Sequence, residues 1–81
     1  MSMKQKLPKW FNGMIYKSGD VVKNPFSGEE YKLTAEELSI YDFIIGSQLV
    51  GLKSNKHRDE FDKALRWFSK NNIKAYMALL D

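Results

Sequence analysis

The sequence predicts an α+β domain: an N-terminal three-stranded antiparallel β-meander followed by three α-helices, two long and one short at the C-terminus. Three observations predict it. Turn residues crowd the first third of the chain, where Lys17-Ser18-Gly19 and Asn24-Pro25-Phe26-Ser27-Gly28 punctuate short apolar runs. Beyond Thr34 the apolar residues take up helical spacing. Thr34 with Glu37 three positions on is a capping box, which marks where one regime gives way to the other.

Taken in order, Met1–Lys9 is polar, basic and non-periodic, and is expected to form a flexible tail frayed or loosely laid on the surface. Trp10 and Phe11 begin the ordered part as aromatic anchors at the edge of the core. Gly13–Tyr16 and Asp20–Lys23 read as strands joined by a tight hairpin, with Gly19 supplying a positive φ. Asn24–Gly28 is the second turn. Pro25 presets φ there, and Asn24 can bond the backbone two residues on. Glu29–Leu33 alternates polar and apolar, as a half-buried third strand does.

The first helix runs Thr34–Leu52, with Glu36 and Glu37 at the positive end of its dipole. The second starts near Lys56 with Ser54 or Asn55 as cap and ends near Lys70. Phe61, Ala64, Leu65 and Phe68 share one face, and Asp59–Lys63 and Asp62–Arg66 are spaced as ion pairs on the other. Asn71-Asn72 breaks the period. Ile73–Leu80 forms a closing helix expected to turn Ile73, Tyr76, Met77 and Leu80 inward.

One domain is all that 81 residues can build. There is no cysteine, so disulfide stapling and thiolate zinc sites are excluded, and stability must come from packing or association. No apolar run reaches membrane-spanning or signal-peptide length, which points to a soluble protein of the cytoplasm. The net charge of +3 is unevenly spread. Residues 1–28 hold five lysines and one aspartate (+4), residues 29–42 five acids and one lysine (−4), and residues 43–81 seven bases and four acids (+3).

Catalytic chemistry is hard to place. The only histidine, His57, sits in a basic loop and reads as a solvated residue near a helix N-terminus rather than a triad base. The five glycines form no phosphate-binding loop. Glu29, Glu30, Glu36 and Glu37 match no ion-binding spacing. The sequence therefore predicts no enzyme, no cofactor, no metal and no small-molecule ligand.

What stands out is the first helix, which is apolar on two sides. Leu38, Tyr41, Ile45, Leu49 and Leu52 fall in one arc, sufficient as a core stripe. Ile40, Phe43, Ile44 and Val50 fall in another, around Ser47. Either the chain covers both arcs, or the second is a protein interface of Ile40, Phe43, Ile44, Ser47 and Val50. In that case Gly46 and Ser47 would allow close approach of a second copy in a homodimer, or of another protein. The alternative is a nucleic-acid-binding accessory protein that uses Lys53, Lys56, His57 and Arg58 against phosphate. The mixed charge of the second helix argues against a groove-reading element.

Several segments carry a resemblance: Lys9-Trp10-Phe11-Asn12-Gly13, Asn24-Pro25-Phe26-Ser27-Gly28-Glu29, Leu38-Ser39-Ile40-Tyr41-Asp42-Phe43-Ile44, and Trp67-Phe68 with Ala75-Tyr76-Met77-Ala78-Leu79-Leu80-Asp81. Together they resemble small uncharacterised proteins of T4-like marine cyanophages over nearly the whole chain. The resemblance implies a phage-encoded accessory protein in the cytoplasm of an infected cyanobacterium. It carries over no catalytic residues, because that group has no established activity.

Overall fold

A computed structural model describes residues 5–11 and 13–80 as an α+β chain with the element order β1 (Asp20–Lys23), β2 (Glu30–Leu33), α1 (Ala35–Val50), α2 (Asn55–Asn71) and α3 (Ile73–Leu79). The strands form a two-stranded antiparallel sheet in the register Asp20–Leu33, Val21–Lys32, Val22–Tyr31 and Lys23–Glu30. The hairpin is closed by the Asn24 turn. Asn24 N–H donates to the Glu29 carbonyl at 2.8 Å, its side-chain Oδ1 accepts from Phe26 N–H at 2.8 Å, and Gly28 takes φ 78°.

Gly13–Tyr16 does not form the expected first strand, and among the described residues the sheet has two strands. A strand exists only where another offers its ladder. Here Tyr16 N–H donates instead to Ser39 Oγ on α1, at 3.0 Å, so the segment runs over the helix. Gly19 likewise has a role other than the expected positive φ. A Cβ built on it would lie 2.0 Å from the Leu33 carbonyl oxygen, so glycine is required by close backbone approach.

The helix starts follow their capping residues. Thr34 Oγ1 accepts from Glu37 N–H at 3.1 Å, and Thr34 N–H donates to Glu37 Oε1 at 3.0 Å, which completes the capping box. Gly51, at φ 81°, ends α1. Ser54 Oγ caps α2 through His57 N–H, and Asn72 Oδ1 caps α3 through Ala75 N–H, each at 3.1 Å. On α2, Ala64 and Phe68 are buried with Phe61 and Leu65 beside them, and the Asp59–Lys63 pair forms at 3.0 Å.

The core lies where α1 and α2 pack together with α3 against β2. It comprises Phe11, Leu33, Ile40, Ile44, Ala64, Phe68, Ala75, Ala78 and Leu79. The inward face of α3 is therefore Ala75, Ala78 and Leu79. Of the residues expected inside, Ile73 and Met77 are exposed, and Tyr76 and Leu80 are half-buried. Ala75 and Ala78 bring α3 close to its neighbours α2 and β2, and Leu79 is the one large side chain buried on that face.

The expected loose tail is docked over the part that is described. Met1–Lys4 lies outside the described residues. From Gln5 onward, Gln5 Nε2 donates to Glu37 Oε2 at 2.7 Å, Trp67 Nε1 donates to the Lys6 carbonyl at 3.1 Å, and Leu7 packs on the core. Glu37 itself is 3% exposed and also accepts from Asn72 Nδ2 at 3.2 Å. One carboxylate thus joins the N-terminal segment, the start of α1 and the α2–α3 junction.

Candidate functional site

The two arcs of α1 have opposite fates. Ile40 and Ile44 are 0% exposed, and Ser47 is buried with them. Phe43 is half-buried, its ring edge-on to Trp10 and Phe11 at centroid distances of 6.0 and 5.9 Å. The chain itself covers this arc, using the N-terminal aromatics and α2. That removes Ile40, Ile44 and Ser47 from any docking surface, and only Val50 remains exposed. A Cβ added at Gly46 would meet nothing within 4 Å, so no element packs closely there. The other arc, sufficient as a core stripe by its spacing, is only partly covered: Leu38 and Tyr41 pack against the core, Tyr41 with its ring 6.2 Å from that of Phe68, Ile45 and Leu52 are half-buried, and Leu49 is 82% exposed.

Lys53, Lys56 and Arg58 of the basic loop are exposed, and His57 among them is half-buried. Its Nε2 shares a 2.9 Å hydrogen bond with Ser47 Oγ, and its ring lies 5.8 Å from that of Phe43. His57 is a clamp between α1 and α2, where the sequence suggested a solvated residue. With Phe43, Ser47 and Val50 it borders a shallow depression of about 270 Å³. The serine–histidine pair is not arranged for nucleophilic attack. A catalytic imidazole has its Nδ1–H held by a carboxylate. Here Nδ1 faces the Lys53 backbone N–H at 3.5 Å. Among the described residues, no three acidic or histidine side chains gather as a metal site.

The larger concavity is a cleft of about 430 Å³ on the open arc of α1. Asn24, Pro25 and Phe26 of the hairpin turn form one wall, Tyr41, Ile45, Gln48 and Leu49 of α1 the other, and Leu79 and Leu80 the end of α3. None of these nine side chains carries a charge. The rims are the most exposed large apolar groups of the fold, Phe26 at 97% and Leu49 at 82%. Burial pushes the Tyr41 phenol up from its usual pKa, in keeping with apolar walls.

The turn wall is held rigidly. Besides its bonds within the turn, Asn24 donates from Nδ2 to the Ala78 carbonyl at 2.9 Å, so the turn is bonded to α3. Asn24→Ala is expected to remove both sets of bonds and cost about 1–2 kcal/mol. The melting temperature should drop by roughly 4–8 °C per kcal/mol, read by circular dichroism.

The sequence suggests only the α1 wall of this cleft, and there as core. Phe26 is read as a turn residue, although a large aromatic in an otherwise polar turn is itself a signal. No protein-family model, no curated protein and no solved structure matches this chain. No helix among the described residues is long and apolar enough to cross a membrane.

Proposed function

We propose that this chain is a non-enzymatic binding protein that meets another polypeptide through the cleft between the Asn24–Gly28 turn and α1. The observation that carries this reading is the cleft's composition: an uncharged, mainly apolar lining, with Asn24, Tyr41 and Gln48 as its polar groups and Phe26 and Leu49 exposed at its rims. Isolated exposed apolar residues are ordinary, but a contiguous patch around a concavity is the mark of a binding surface. Anchors of this kind, aromatic or aliphatic and seated beside a pocket, contribute most of the energy at protein interfaces. The resemblance to cyanophage proteins adds only a biological setting to this reading, the cytoplasm of an infected cyanobacterium.

Panning a random peptide library on the wild-type chain tests this. Enriched peptides should present uncharged apolar anchors and perturb the Tyr41, Ile45 and Leu49 resonances. Leu49→Glu should weaken them at least tenfold, which corresponds to about 1.4 kcal/mol. Peptides that bind with full affinity to the Leu49→Glu chain, or none at all, would remove the reading.

A further inference from the structure

We infer that the occupant of this cleft is a second copy of the same chain, related by a twofold axis, with each Phe26 seated in the other's cleft. This rests on the reading of the cleft as a protein-binding surface and names the partner. Three features select a copy over an unrelated partner.

The first is that projection and recess lie on one face. Phe26 rises from a wall of the same cleft that an incoming side chain would fill. An isologous contact requires a patch complementary to itself, and a knob directly beside a hole becomes knob-in-hole twice under a twofold rotation. The projection is also preorganised. Phe26 N–H is tied to Asn24 Oδ1 at 2.8 Å, and Asn24 is tied to Ala78, so little backbone order remains to be lost on docking. The recess has the capacity: a cavity of roughly 150 Å³ holds a benzene ring, and this one measures about 430 Å³, enough for a phenyl group and an aliphatic neighbour.

The second feature is charge. A face of single sign repels its own copy across a twofold axis, where every charge comes near its equivalent. The cleft lining carries none. The stretches that supply its walls are charged overall, +4 over residues 1–28 and −4 over residues 29–42, so the uncharged lining is local to the cleft.

The third is area. A stable dimer buries about 800 Å² on each partner. Phe26, at 97% exposure, offers close to a whole aromatic side chain, about 200 Å². That is about a quarter of the requirement, and exposed Leu49 and Pro25 with half-buried Tyr41, Ile45 and Leu80 add to it.

Sedimentation equilibrium of the full chain tests the inference, with Phe26→Ala, Leu49→Glu and an equimolar mixture of the two. Both substituted residues are exposed, so both variants should fold, as confirmed by unchanged circular dichroism. The wild type should dimerise, and each variant alone should weaken dimerisation at least tenfold. The mixture should associate more tightly than either variant alone, because the intact Phe26 of the Leu49→Glu chain still meets an unaltered cleft on the Phe26→Ala chain. A wild type that stays monomeric to high micromolar concentration overturns the inference. So does a dimer that Phe26→Ala leaves unchanged. Apolar peptides that still bind at Leu49 in either case would leave the cleft as a site for a different protein, which separates failure of the dimer from failure of the binding surface.

Discussion

Ile44→Glu is expected to unfold this domain, while Leu49→Glu, five positions further along the same helix, leaves it folded. Ile44 is 0% exposed between the N-terminal aromatics and α2, and Leu49 is 82% exposed at the rim of the cleft. Truncating a buried isoleucine typically costs about 2–5 kcal/mol. A carboxylate in its place adds the penalty of desolvating a charge with no partner. A chain of this length has roughly 4–12 kcal/mol of total stability to lose. Loss of the cooperative thermal transition in Ile44→Glu, with an unaltered transition in Leu49→Glu, is the outcome that fits. The reverse pattern would mean that the other face of α1 is the core.

Glu37→Ala is expected to have the second largest effect. The carboxylate is nearly buried and, among the described residues, has no cationic partner; it is held by Gln5 Nε2, Asn72 Nδ2 and the Thr34 backbone N–H. Removing it leaves three donors facing a cavity. An unsatisfied buried donor costs about 1–3 kcal/mol. Water reaches part of this site, since Thr34 is exposed, so the sum is nearer 3 kcal/mol than the upper limit. At roughly 4–8 °C per kcal/mol, melting should fall by more than 10 °C. Glu37→Gln keeps the shape but turns an NH₂ group toward donors, and should lose about half as much. Loss of hydrogen-exchange protection together at Thr34 and Ala75 would separate this junction effect from simple fraying of α1.

Much of this fold could be read locally. The starts of α1 and α3 were legible because a cap reaches only three residues, from Thr34 to Glu37 and from Asn72 to Ala75. The missing strand was not, because Gly13–Tyr16 has strand-forming residues but a strand is made by its neighbour, and Ser39 took the bond instead. The buried side of α1 was ambiguous because both arcs are comparably apolar. Periodicity shows how many faces are apolar, whereas Trp10, Phe11 and Phe68 decide which one is covered. On α3, hydropathy favours Ile73 and Met77, but the packing of the finished fold turns Ala75, Ala78 and Leu79 inward. The cleft was the least legible feature. Its walls come from residues 24–26, 41–49 and 79–80, which only the finished fold brings together.

That dependence on the finished fold has a consequence for synthesis. Asn24 is completed by the carbonyl of Ala78, Lys6 by the indole of Trp67 and Glu37 by Asn72. The segments before α1 therefore wait for α2 and α3. Until α3 emerges, the nascent chain has no partner for its hairpin turn and no cover for Leu33. Folding of the domain thus requires α3 to be present, and the bonds that close it span 35 to 61 residues of the chain.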